Sequence, residues 1–214
     1  MTSERGPVPA EPSSAVRLQI LATEHWGLLA TRSLTWSEVM SRIAIHLTVC
    51  SASLVVLALV VQADGFGTAF KVLSVGLASA MLVLGTLTGL RVSNASVEDQ
   101  RFVAGMNRLR AGYVELDPGV ERYLVASWRD DAAGVMETYA MGTRRSTISH
   151  VVASTSFFIN TVNAIVAGTV AALVIYAAGG SEGAMGVVGG VAGIGYLGVV
   201  VGIGRRRFGP NRSG

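Results

Sequence analysis

The sequence is poor in charge, in proline and in cysteine, and each shortage narrows the class of protein. Charged residues make up 14% of the 214 positions, whereas a soluble domain carries about 25%. Five prolines leave long stretches open to helix. The single cysteine, Cys50, excludes an intrachain disulfide. The basic residues are not gathered on one polar domain, so we expect no nucleic-acid partner.

The chain is correspondingly rich in apolar residues and glycine. Half of its residues are hydrophobic, 26 are glycine, and the mean hydropathy is +0.51. About 20 consecutive apolar residues cross a bilayer as a helix. Four stretches meet that length, at roughly 39–61, 68–90, 149–178 and 184–204. The sequence therefore predicts an all-α polytopic membrane protein with four transmembrane helices.

The remaining segments complete the predicted organisation. Three prolines among small polar residues indicate a disordered tail over 1–13. An amphipathic cytoplasmic helix is predicted over 14–34, either continuing into the first span or breaking near Ser33. The full division is 1–13 tail, 14–34 helix, 35–92 first transmembrane hairpin, 93–146 cytoplasmic helical hairpin, 147–204 second transmembrane hairpin and 205–214 basic cytoplasmic tail.

The central polar segment is predicted to be a helical hairpin. The turn signal Asp117-Pro118-Gly119 divides it. Helices are expected over about 97–114, 120–128 and 132–141, the last capped by Asp130 and Asp131. Arg91 is expected to end the second span, with an interruption or a new helix start over 93–96.

Arginine placement predicts the orientation. Arginines lie at one end of every predicted span, and Asp64 and Glu182 lie in the opposite turns. The positive-inside rule then places both termini in the cytoplasm of a plasma (inner) membrane protein. No cleaved signal peptide is expected.

The first span has a polar stripe. At 100° per residue, its face holds Glu38, Arg42, His46, Ser53 and Asp64, with Thr35 and Cys50 beside them and Val56 and Val60 in the outer half. One interpretation is that this stripe lines a pore made by several copies, with an acidic ring at Asp64 and a valine constriction. The other is that Glu38 and Arg42 form an i,i+4 pair at the headgroups while His46 bonds a neighbouring helix.

The third and fourth spans carry their own patterns. Ser156, Asn160 and Asn163 form an intramembrane polar face that either lines a path or hydrogen-bonds another span. Glycines at Gly-x-x-x-Gly spacing allow close helix approach within or between subunits. They are Gly186, Gly189, Gly190, Gly193, Gly198 and Gly202.

Signals for cofactor, metal or catalysis are weak. Gly193-Ile-Gly195-Tyr-Leu-Gly198 matches a dinucleotide pattern formally, but no strand precedes it. The histidines lack ligand spacing, so we expect no metal, no cofactor and no enzyme activity. Arg205, Arg206 and Arg207 either bind anionic lipid or only stop transfer of the chain.

Two resemblances follow from quoted residues. The stretches Glu24-His25-Trp26 to Trp36-Ser-Glu38, Arg101-Phe-Val-Ala-Gly-Met-Asn107-Arg108 and Trp128-Arg-Asp130-Asp131 resemble uncharacterised bacterial four-span membrane proteins. The cytoplasmic helix entering the first of four spans is similar in architecture to Orai-type calcium channels. That resemblance implies a pore lined by the first helix. Asp64 would match the acidic ring at the outer end of the pore, and Arg32 and Arg42 would match its basic cytoplasmic part. Glu38 among those arginines departs from the Orai pattern.

Our leading hypothesis is a homo-oligomeric, ion-conducting or pore-forming membrane protein with the first transmembrane helix lining the path. The alternative is a non-conducting membrane scaffold whose cytoplasmic helices dock a partner protein.

Overall fold

The computed structural model describes residues 13–141 and 155–208, with side chains up to 204. None of these residues lies in a β-strand. The helices are α1 (Ser14–Asp64), α2 (Thr68–Leu116), a 3-10 helix (Pro118–Tyr123), α3 (Ala132–Ala140), α4 (Thr155–Ala177) and α5 (Glu182–Phe208). α1, α2, α4 and α5 are each long and apolar enough to cross a membrane. The predicted all-helical architecture with four candidate spans is therefore confirmed.

Glycine makes both tight turns between the predicted spans. Gly65 has a φ of 63° and joins α1 to α2, while Gly179 has a φ of 78° and joins α4 to α5. A side chain is disfavoured at such left-handed positions, and glycine adopts them at no steric cost.

α1 and α2 each join a predicted span and a polar segment in one continuous helix. α1 runs without a break past Ser33, and α2 continues past Arg91 and through 93–96 to Leu116. Of the two alternatives for 93–96, a new helix start is therefore wrong, because α2 continues through these residues. Serine and asparagine are only weakly unfavourable inside a helix, and no proline or glycine lies between Arg91 and Val103.

The segment after α2 is less helical than predicted. The expected helix over 120–128 is wrong, because only the 3-10 helix Pro118–Tyr123 forms before an irregular chain leads to α3. Asp117 accepts a hydrogen bond from the Gly119 amide at 2.8 Å and caps the 3-10 helix. Asp131 accepts one from the Gly134 amide at 2.7 Å and caps α3, so capping by this acidic residue is confirmed.

At the last two spans, one predicted boundary cannot be compared and one helix is longer than the predicted span. α4 is described from Thr155, so the predicted start at 149 lies outside the described residues. α5 continues beyond 204 to Phe208, which places the backbone of Arg205, Arg206 and Arg207 in the helix. The predicted tail over 1–13 lies outside the described residues except for Ser13, and so does the segment 142–154.

The chain divides into two compact units. Of the described residues, 13–36 and 96–141 form one unit, which we call the polar unit. Residues 37–95 and 155–208 form the other, which we call the transmembrane unit. In the polar unit, Val103 and Met106 are buried. In the transmembrane unit, the core includes Val39, Ile43, Ala78, Met81, Ile159 and Ala164.

Candidate functional site

A buried polar cluster joins three helices of the transmembrane unit. Asn160 and Asn163 lie one turn apart on α4, and Gly85 and Gly89 lie one turn apart on α2, so each pair shares a helix face. A β-carbon at Gly85 would overlap Asn163 Oδ1 and lie 2.9 Å from His46 Cε1. A β-carbon at Gly89 would lie 3.0 Å from Asn160 Oδ1. Glycine on α2 therefore makes the close approach of α1 and α4 possible.

The polar groups of this cluster differ in how they are satisfied. Asn160 Nδ2 donates to the Ser156 carbonyl at 2.7 Å. His46, 2% exposed, has its ring nitrogens 3.8 and 4.0 Å from Cys50 Sγ. Asn163 is fully buried, and neither its oxygen nor its nitrogen has a hydrogen-bond partner among residues 13–141 and 155–208. Since buried polar groups in proteins are nearly always hydrogen-bonded, the unpaired Asn163 side chain is unusual.

The predicted stripe on the first span does not form one outward surface. His46 and Ser53 are buried inside their own subunit, which contradicts the expectation that the whole stripe faces away from it. Val56 is 43% exposed and Val60 is half-buried. Asp64 is exposed at the end of α1.

Glu38 lies in an ion-pair group at one end of the predicted first span. Its carboxylate accepts hydrogen bonds from Arg42 Nε at 2.8 Å and from Arg91 at 2.8 Å. The i,i+4 pair between Glu38 and Arg42 is thus present, together with a partner on α2 that the sequence did not indicate.

The opposite face of α1 was missed in the sequence. Seven exposed residues repeat there at alternating spacings of four and three: Ser37, Ser41, Ala44, Thr48, Ser51, Val55 and Ala58. We call this the small-residue face. Thr48 and Ser51 donate their hydroxyls to carbonyls of their own helix, at 2.8 and 3.0 Å. A spacing of about 3.5 residues is typical of helices that associate along their length, and it was the signal available in the sequence.

The glycines of α5 fall into two groups. β-Carbons at Gly189 and Gly193 would each lie 2.9 Å from a carbonyl oxygen of α4, those of Gly168 and Ala164. This Gly-x-x-x-Gly pair therefore packs within the subunit. For the remaining predicted glycines, no atom of the described part of the chain lies within 4 Å of such a β-carbon: Gly186, Gly190, Gly198 and Gly202.

The polar unit contains a carboxylate with several donors. Asp99, 4% exposed, accepts from Arg32 Nε at 2.6 Å, Trp36 Nε1 at 2.8 Å and Tyr139 Oη at 2.5 Å. Burial alone would raise the pKa of Asp99, but the bonds from Arg32, Tyr139 and Trp36 outweigh it, so the pKa is lowered. Burial, and then the bond to Asp99, raises the pKa of Tyr139. These contacts connect α1, α2 and α3.

Asn107 is a second connecting residue in the polar unit. Its Nδ2 donates to the Arg129 carbonyl at 2.7 Å, while its Oδ1 accepts from Arg110 at 2.6 Å and from Thr138 at 3.0 Å. This fully buried side chain fixes the irregular segment and α3 against α2. Neither Asp99 nor Asn107 was singled out in the sequence, because their partners are distant along the chain.

Within 13–141 and 155–208, no three histidine, cysteine or acidic residues are grouped in a way that could hold a metal ion. A comparison with protein-family models, curated proteins and solved structures finds no match.

Proposed function

We propose that the protein is a homo-oligomeric membrane protein in which the α1 helices of several copies surround an ion-conducting path. The observation that supports this function is the small-residue face of α1. A helix face in contact with lipid tails is expected to carry large apolar side chains, whereas small and hydroxyl-bearing residues favour helix contacts or water. This face is exposed in the subunit over 37–58.

The proposal assigns different roles to the two faces of α1. Ser41, Thr48 and Ser51 line the inner half of the path, and Val55 narrows it farther out. His46 and Ser53, on the face that is buried in the subunit, hold α1 in place. Asp64 is exposed at the end of α1 but lies on the same side of the helix as His46, so the proposal places none of the residues first predicted to line a pore on the path.

The proposed function is tested with purified protein in liposomes. We expect a monovalent or divalent cation flux that depends on protein, together with an oligomer of several copies by native mass spectrometry. Thr48→Leu, which fills the path with an apolar side chain, should reduce the flux, whereas Leu54→Ile on an exposed flank should leave it unchanged. A single-copy protein that passes no ion would refute the proposal.

A non-conducting scaffold is the second candidate function. It is favoured by large apolar side chains exposed in the polar unit: Trp26 at 72%, Leu34 at 71% and Val125 at 84%. Exposed apolar groups of this kind are typical of surfaces that bind other proteins. A stable complex with a cytoplasmic protein, lost on Trp26→Ser or Val125→Ser and accompanied by no ion flux, would favour the scaffold.

A further inference from the structure

Asn163 has hydrogen-bonding capacity that the described protein atoms do not use. Its side chain is fully buried, and both Oδ1 and Nδ2 are without partners. In a bilayer, bulk water does not reach such a position, so an unmet donor and acceptor are especially unfavourable. The residue therefore calls for a small partner that both donates and accepts hydrogen bonds.

The surroundings of Asn163 indicate a neutral partner. His46 approaches the same glycine, Gly85, from α1, and its imidazole offers one donor and one acceptor. One turn before His46, the Arg42 guanidinium is directed to Glu38. Cys50 is the titratable group in contact with His46. A neutral site of this kind does not suit an ion.

We propose that Asn163 and His46, whose side chains both reach Gly85, bind one water molecule beside that contact within the transmembrane unit. Buried waters typically make about three hydrogen bonds. The Asn163 oxygen, the Asn163 amino group and one imidazole nitrogen supply that number. The water links α4 to α1 beside the contact with Gly85, and it accounts for two polar side chains in an apolar core.

This site does not depend on ion conduction. His46 lies on the buried face of α1, about 160° around the helix from Thr48 on the small-residue face. The same water is expected whether the protein conducts ions or acts as a scaffold.

X-ray radiolysis of the full-length protein, followed by mass spectrometry, tests the site. Radiolysis of a bound water makes hydroxyl radicals next to it, so His46, 2% exposed, should be oxidised in the wild type. In Asn163→Leu the oxidation of His46 should fall to background. Met40, 47% exposed, is the internal control and should be oxidised equally in both proteins.

Two results would overturn the water site. One is a wild-type protein whose Met40 is oxidised while His46 is not. The other is Asn163→Leu with His46 oxidation unchanged. The first result is decisive even if the variant fails to fold. A third measurement is the heat stability of the folded variant: if Asn163→Leu is more stable than the wild type, Asn163 has no partner to lose and the proposal fails.

Discussion

Asn163 of α4 lies directly against Gly85 of α2, so closely that a β-carbon on Gly85 would overlap the Asn163 side-chain oxygen. The fold therefore requires glycine at position 85 of α2, because a larger residue there would overlap the Asn163 side chain. It also brings His46 of α1 to the same point. Three helices of the transmembrane unit thus depend on a residue that has no side chain.

Gly85→Ala should destabilise the transmembrane unit. Overpacking a close contact costs about 1–3 kcal/mol, and Asn163 and His46 must both move to admit the methyl group. Gly76→Ala on the same helix is the matched control, because nothing lies within 4 Å of its β-carbon position. Denaturation in detergent should show a loss of stability for Gly85→Ala but not for Gly76→Ala. Equal stability of the two variants would contradict the close contact at Gly85.

Two adjacent glycines on α5 should respond differently to alanine. A β-carbon at Gly189 would press on the Gly168 carbonyl at 2.9 Å, whereas one at Gly190 meets nothing within 4 Å. We expect Gly189→Ala to lower the melting temperature and Gly190→Ala to leave the subunit's own stability unchanged. The comparison is made on dissociated subunits, so that contacts between copies do not contribute. The reverse order would mean that α4 and α5 meet through a different face.

Asp99→Asn should weaken the polar unit. The substitution removes the charge that Arg32, Trp36 and Tyr139 satisfy, and hydrogen bonds to a charged group contribute about 1.5–3 kcal/mol each. Asp130→Asn is the control, since its pair with Arg108 is exposed and such pairs contribute about 0–1 kcal/mol. The rate of amide hydrogen exchange in α3 should rise in Asp99→Asn and stay unchanged in Asp130→Asn.

Stability of the polar unit should fall as the pH falls below the ordinary histidine range. Burial, and then the charge of Arg110, lowers the pKa of His25 from 6.5. The folded state therefore binds a proton less readily than the unfolded state. The stability is fully present above about pH 6.5 and is lost as pH falls toward the lowered pKa.

Hydrogen exchange between pH 7.5 and pH 5.5 measures this effect. Protection in α1 near His25, which stacks on Tyr113 with ring centroids 5.8 Å apart, should decrease toward the acid end. His25→Phe keeps an aromatic ring and should remove the pH dependence. If the protection still depends on pH in His25→Phe, a titratable group other than His25 causes the effect.

The spans and their turns could be predicted because long apolar runs and glycine turns are local signals. The continuity of α1 past Ser33 was one of two alternatives open in the sequence. The length of α2 could not be predicted, because Ser93 to Ser96 resemble a break and no local rule shows that the helix continues. Gly85 was overlooked for a related reason. Its importance comes from Asn163 and His46, which reach it only after three helices pack.

The polar stripe on α1 is another feature whose surroundings could not be predicted from the sequence. A helical wheel places His46 and Ser53 with Glu38, but it does not say which side of the helix the rest of the subunit covers. Once Val39 and Ile43 are seen to be buried, the opposite face becomes the candidate for contact between copies. Asp99 and Asn107 likewise acquire their partners only in three dimensions.

Thiol modification during ion flux tests the proposed path most directly. In a Cys50→Ser background, Thr48→Cys places a thiol on the small-residue face, and Leu54→Cys places one on an exposed flank of α1, where Leu54 is 64% exposed. The account predicts that a charged, water-soluble thiol reagent blocks the flux through Thr48→Cys and leaves Leu54→Cys unaffected. Flux that persists after Thr48→Cys has been fully modified, or a thiol at Thr48→Cys that the reagent never reaches, would contradict it.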